Sequence, residues 1–329
     1  MPADKPPTPL IFGTTSVHSK GAFPTTEVIT KLFAALKENG ITNIDTAQLY
    51  HDSETRLGEA GVASYGFILD TKSPGGWVPG SLEPEKLAAD ARRSVKLLGV
   101  DRLDVFYLHG PDPTGKHPLE ETLSVVNSLH ADGLFSRLGL SNFSAAEVEA
   151  AHSICTKNGW VAPTVFQGNY SAFARRAETE LFPTLRRLGM SFYAYSPLAG
   201  GFLARRSSED LFSSRGGRFA REGARSLPLY QGLYSNKPKL VGALEGWGRA
   251  ADLAGCESPA ELGYRWVTSN SVLDPSLGDR VIIGASRVDH VPQVIGWVAK
   301  GAVNDEAAKA IDALWEEVKD EAPLDNWHK

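Results

Sequence analysis

Short uninterrupted apolar runs recur along the chain, and most of the segments between them repeat apolar positions every three or four residues. The runs predict strands over residues 10–14, 43–46, 66–71, 103–108, 135–140, 164–166, 191–195 and 281–283. Helical spacing fills 24–39 (Val28, Leu32, Ala35, Leu36), with Thr25 or Thr26 as cap and Gly40 as stop. It recurs over 53–62, where a capped helix opens near Ser53, and over 83–98, which starts on Pro84 and stops at Gly99. Further helices are expected over 119–131 (stopped by Gly133), 145–158, about 179–188 and after the last strand.

Eight short strands mostly alternating with helices predict one (β/α)8 TIM barrel, a single domain spanning 1–329, with a tail over its mouth. Strands of a parallel sheet are buried on both faces, which is why the runs are continuous rather than alternating. A doubly wound sheet is the runner-up, but no strand leads into a Gly-x-Gly-x-x-Gly turn. One connection, 197–239, far exceeds the usual loop of about 2–6 residues. Its place after the seventh strand makes it a lid over the mouth; a surface insertion is the alternative.

Composition narrows the class. The 329 residues carry a formal charge of −5, which argues against a nucleic-acid platform. The two cysteines, Cys155 and Cys256, have no CxxC spacing, so neither a disulfide framework nor a zinc motif is expected. No His/Cys cluster has metal-ligand spacing. With no apolar leader or membrane-length run, a reduced, cytoplasmic, soluble protein is expected.

A barrel gathers the C-terminal ends of its strands on one face, where active sites sit. The second strand then delivers Asp45 and Tyr50, the third Lys72 and the fourth His109. Asp45 can hold Lys72 charged and in place. A nearby ammonium favours the phenolate and sharpens the tyrosine as an acid. A neutral His109 can orient a carbonyl. Together they form a general acid for protonating a carbonyl oxygen as hydride reaches its carbon.

Gly40-x-x-x-x-Asp45-Thr-Ala-x-x-Tyr50-x-x-x-Glu54-x-x-x-Gly58, Thr71-Lys72, Leu108-His109-x-Pro-Asp, Gly139-Leu-Ser-Asn142 and Gln167 resemble the motif series of the aldo-keto reductases. The resemblance runs in order through essentially the whole chain. Within the superfamily the chain is similar to the aflatoxin-aldehyde reductase group, on Tyr107-Leu-His-Gly-Pro-Asp112, Glu178-Thr-Glu-Leu-Phe-Pro183 and Tyr193-Ala-Tyr-Ser-Pro-Leu-Ala-Gly-Gly201 among others.

The resemblance implies Tyr50 as proton donor, with Asp45, Lys72 and His109 as partners, and NADPH across the barrel mouth. It implies that Ser141, Asn142 and Gln167 bond the carboxamide, that Tyr195 stacks on the nicotinamide, and that Ser196, Leu198 and Gly200 line the pyrophosphate path. Gly284, Ser286 and Arg287, read as the start of a helix after the eighth strand, would take the 2′-phosphate, since a helix N-terminus favours anions. His290 and Val294 stand where the family usually has Gln and Asn, so adenine contacts depart from the pattern.

In the Arg-rich stretch (Arg205, Arg206, Arg215, Arg218, Arg221, Arg225), Arg218 matches a family position that contacts acidic substrates of the succinic semialdehyde type. Solvated or phosphate-facing cations are the alternative. Trp327, in a tail unlike the family's aromatic-rich ending, is a candidate pocket wall. The expected partner is a small carbonyl substrate, with a homodimer as the assembly the similar group tends toward. Two other functions stay open: a coenzyme-binding redox sensor with little turnover, and a reductase dedicated to one natural product.

Overall fold

Eight parallel strands pair each with the next, and the eighth returns to the first to close a barrel. They are β1 (Leu10–Gly13), β2 (Asn43–Asp45), β3 (Ile68–Ser73), β4 (Leu103–Leu108), β5 (Phe135–Ser141), β6 (Pro163–Asn169), β7 (Ser191–Tyr195) and β8 (Arg280–Ile283). The structure, a computed structural model, describes residues 5–213, 218–219 and 228–328. The expected fold class holds, with strand boundaries shifted by a few residues.

Each strand feeds two cores. On β4, Val105 and Tyr107 point inward and join Ile11, Val165, Tyr193 and Ile282 inside the barrel. Phe106 and Leu108 point outward and pack with Phe166, Phe192 and the helix residues Leu32, Leu87, Val126 and Val148. This double burial is what makes the strands uniformly apolar in sequence. A Cβ added at Gly139 on β5 would lie 2.2 Å from the Tyr107 ring, so glycine there makes room for the tyrosine.

The surrounding helices are α1 (Thr26–Glu38), α2 (Ser53–Glu59), α3 (Pro84–Leu98), α4 (Leu119–Ala131), α5 (Ala145–Asn158), α6 (Ala177–Glu180) and α7 (Phe182–Arg187). Thr25 caps α1 by accepting from the Val28 N–H, and Ser144 and Glu147 form a reciprocal capping box on α5. Two expectations are corrected. The helix over 53–62 stops at Glu59, because Gly61 is left-handed (φ 74°) and a 3-10 turn, Val62–Tyr65, follows. It is also uncapped: Ser53 sends its hydroxyl inward to the Thr14 hydroxyl (3.0 Å) instead. The helix over 179–188 is two pieces, α6 and α7, broken at Leu181.

The long connection after β7 is folded in its described part. A 3-10 segment (Ala199–Ala204) leads to α8 (Ser208–Ser213), and α9 (Pro228–Tyr230) runs into a π-turn, Gln231–Ser235. Phe202, Phe219 and Tyr234 form an aromatic cluster that joins it to the outer core, with Phe202 about equally close to both partners (5.6 Å between centroids). Beyond it come α10 (Pro238–Gly242), α11 (Leu244–Leu253), α12 (Pro259–Arg265), α13 (His290–Ala299) and α14 (Asp305–Val318).

The first and last described residues, 5 and 328, lie at opposite poles. At the bottom of the barrel Lys5 donates to the Ser271 and Leu273 carbonyls, and the Thr8 N–H to the Thr268 carbonyl (2.8 Å). At the mouth the Asn326 N–H donates to the Tyr195 hydroxyl (3.2 Å). Among the described residues no helix is long and apolar enough to cross a membrane.

Candidate active site

Three strand ends bring together one buried ion pair and two rings. Asp45 is the last residue of β2; Lys72 lies within β3 rather than beyond it, paired in register with Tyr107. The Lys72 ammonium donates to both Asp45 carboxylate oxygens (2.7 Å each) and to the Thr46 carbonyl (2.8 Å). Tyr50 follows Asp45 through a short turn, and Lys72 Nζ sits 5.1 Å from the centre of its ring. The His109 ring meets Tyr50 edge-on, with centroids 5.9 Å apart. The four expected catalytic residues therefore share one site.

The electrostatics differ from the expectation in one respect. Burial first, then the Asp45 charge, pushes the Tyr50 phenol well above its usual range. The Lys72 ammonium, held by Asp45 and itself lowered by burial, does not overturn that. Desolvation of a phenolate outweighs a cation already neutralised by its carboxylate. His109 is pushed well below the histidine range, by burial first and Lys72 second, so its ring is neutral at pH 7. Its Nδ1 is buried and meets no hydrogen-bond partner among the described residues.

The residues expected around a nicotinamide are wired to this set. Gln167 donates to Asp45 Oδ1 (2.8 Å). Asn142 donates to the His109 carbonyl (2.9 Å) and the Ser141 hydroxyl (3.1 Å), and accepts from the Tyr195 hydroxyl (2.8 Å). Tyr195 is thus anchored at its oxygen from both sides, by Asn142 and by the tail. The Ser196 hydroxyl lies 3.5 Å from that of Tyr230, while Leu198 packs where a Cβ on Gly263 would sit, 2.6 Å away.

Asn142 (φ 59°), Ser196 (φ 57°) and Ala199 (φ 50°) are left-handed without being glycine. Such backbone costs about 1–3 kcal/mol and concentrates at ligand clamps. Three of them at the ends of β5 and β7 fit a coenzyme bound there, and the open space around Gly284, with no atom within 4 Å of an added Cβ, fits its phosphate end.

At that end the structure corrects the sequence reading. Gly284–Arg287 is not the start of a helix; α13 begins at His290. Ser286 and Arg287 are exposed on the preceding turn, where the Ser286 N–H reaches His290 Nδ1 (3.5 Å) and Arg287 is paired with Asp289 (3.1 Å). Of the arginine cluster, Arg205 pairs with Asp210 and Arg206 with Asp252, while Arg215, Arg221 and Arg225 lie outside the described residues. Arg218 lies over the Tyr230 ring (4.8 Å to its centre) and donates to the Gly200 carbonyl (3.4 Å).

The Aldo/keto reductase family model matches residues 9–316. The chain belongs to that family. Aflatoxin B1 aldehyde reductase member 4 of Homo sapiens is 37% identical over 309 residues, covering 91% of each chain. Aldo-keto reductase family 7 member A3 of Homo sapiens is 37% identical over 313 residues, again 91% of each. Oxidoreductase sirO of Leptosphaeria maculans is 34% identical over 334 residues, 98% of each. This aldo-keto reductase is accordingly an oxidoreductase of carbonyl groups.

Sequence reasoning missed two aromatic neighbours. Trp77 donates its indole N–H to the His109 carbonyl (3.1 Å) and meets Trp327 edge-on (4.6 Å), so Trp327 is one half of a wall beside His109. The Gly-Gly-Trp step after β3 was its only signal. Tyr230 packs against the Gly200 backbone, where an added Cβ would lie 2.3 Å from its ring. Nothing in the spacing of a lid residue points to such a contact.

Proposed function

We propose that this protein is an NADPH-dependent reductase of aldehydes or ketones in which Tyr50 donates the proton. The supporting observation is the buried Asp45–Lys72 pair against the Tyr50 ring, with a neutral His109 edge-on to it. When bound, the coenzyme supplies hydride to the carbonyl carbon. Tyr50, a phenol that burial makes still harder to ionise, holds the proton for the carbonyl oxygen. Asp45 and Lys72 fix the charge beneath it, and His109 and Tyr50 bracket the oxygen. Asn142 and Gln167 orient the carboxamide, with Ser141 bracing Asn142, and Tyr195 lies against the ring. Ser196, Leu198, Gly200 and Gly284 line the diphosphate, and Ser286, Arg287 and His290 take the 2′-phosphate.

The pocket reads as one for an aldehyde with an aromatic or acidic end. Trp77 and Trp327 offer an apolar wall, and Arg218, half-buried beside Gly200, offers a cation. The relatives named for aflatoxin aldehyde support an aldehyde. We also read the enzyme as cytoplasmic, on two unpaired cysteines, and as a homodimer, on the similar group alone.

The test is NADPH titration by tryptophan fluorescence, followed by turnover of 4-nitrobenzaldehyde and succinic semialdehyde. Tyr50→Phe should bind NADPH as the parent does and lose at least ~100-fold in kcat, the usual worth of a general acid. Retained turnover in that variant would remove Tyr50 from the proton step.

A further inference from the structure

Two residues before Lys72 on β3 stands a second acid that the chemistry above does not use. Asp70 is the Cα partner of Asp45 across β2 and β3. Side chains alternate along a strand, so Asp70 and Lys72 share the inner side of the barrel. None of Asp70 or Lys72 reaches solvent, and Asp45 is only 2% exposed. Two carboxyl groups and one ammonium therefore share the interior.

The ammonium is already spent. It has three N–H donors, and all three go to Asp45 and the Thr46 carbonyl. Asp70 Oδ1 accepts one backbone N–H, from Val105 (3.1 Å), and its Oδ2 has no partner among the described residues. Of the other charged groups facing this layer, Arg280 opens β8 as the register partner of Tyr193 and is half-buried at the lower end of the barrel, and the rest are already engaged. Arg137 on β5 is held at 3.1 and 2.6 Å by Asp104 of β4 and donates to the Tyr193 hydroxyl of β7. Tyr107 of β4 is a neutral phenol pushed well above its usual range, and Glu54 of α2 is bonded to Thr71 and Ser94. An ionised carboxylate with one hydrogen bond in such a place is costly. Burial, then Asp45 and Asp104, accordingly pushes the Asp70 carboxyl well up, against the opposing pull of Arg137.

We propose that Asp70 is a positioning residue that carries a proton at neutral pH. Neutral, it leaves Lys72 to Asp45 and so in place beneath Tyr50. Once its proton passes to solvent at alkaline pH, Asp70 competes with Asp45 for the ammonium and draws it away from the phenol. The inference rests on the reading of Asp45 and Lys72 as partners of Tyr50.

The test has two readouts on the full-length protein. Infrared spectra with an isotope label confined to aspartate carboxyls should show a protonated-acid carbonyl at pH 7, absent from Asp70→Asn. In the NADPH-saturated parent, kcat should fall in an alkaline step that follows loss of that band. In Asp70→Asn the step should vanish or move by at least about one pH unit, the scale on which a neighbouring charge acts. Asp70→Ser is a second neutral variant with the same expected outcomes should the amide fold poorly. No protonated aspartate at pH 7, or an identical alkaline step in parent and variants, would overturn the proposal. A parent that turns over no carbonyl would sink the functional reading instead, and the infrared band would still decide whether Asp70 holds its proton.

Discussion

A carboxyl group that must hold its proton in the folded state weakens the fold as the pH rises. The unfolded chain releases that proton near the ordinary aspartate value of about 3.9. Stability from a raised group is therefore complete below that value and lost on the way up to the folded one. Burial pushes the Asp70 carboxyl well up, and a proton held at pH 7, as proposed, places it in this window. Asp70→Asn should raise Tm more at pH 7 than at pH 4; an equal change at both would mean that Asp70 carries no extra proton. That Asp45, Tyr50, Lys72 and His109 would lie together was legible, because each stands at or just beyond an apolar run and falls within a recognisable motif. Asp70 was not, since an acid inside such a run reads as an interruption until the barrel turns it inward beside Lys72. The sense of the Tyr50 shift was equally hidden, because it depends on burial.

At the scale of the element, close approach sets the tolerances. Gly58 of α2 faces the backbone of α3, where an added Cβ would lie 1.8 Å from the Leu97 carbonyl oxygen. Gly58→Ala should cost about 1–3 kcal/mol, as overpacking usually does, and lower the denaturant midpoint without changing the slope. An unchanged midpoint would mean that the two helices part freely. The loop between β8 and α13 carries a different expectation. Arg287→Ala should weaken NADPH at least ~10-fold and NADH little, given about 1.5–3 kcal/mol for a hydrogen bond to a charged group. Asp289→Asn should tighten NADPH by releasing the guanidinium; equal effects on both coenzymes would remove the 2′-phosphate assignment. The start of α13 was misread because Gly-Ala-Ser-Arg looks like a helix opening, while the chain makes one more turn before His290. By contrast, α14 was left unassigned although Ala307, Ile311, Leu314 and Val318 carry helical spacing, a signal present in the sequence.

For the whole molecule, the proposed site is assembled from the barrel and two covers of separate origin. The barrel fixes Asp45, Lys72 and His109, the lid brings Arg218 and Tyr230, and the tail brings Trp327. Trp327→Ala should raise KM for aromatic aldehydes by about tenfold, near the ~1.5–3 kcal/mol of a buried large apolar side chain, and leave NADPH affinity alone. A matching loss of NADPH affinity would place the tail on the coenzyme instead. The barrel was readable because eight apolar runs are needed to build it, whereas the covers depend on single aromatic contacts without any period. Their arrangement also bears on how the enzyme is handled. Residue 5 is tied down at the pole away from the mouth, whereas Asn326 bonds Tyr195 and Trp327 lies against Trp77. A fluorescent fusion placed ahead of Lys5 should leave the mouth clear, whereas one placed after His328 should pull on the Trp327 indole proposed as a pocket wall and change the apparent substrate range.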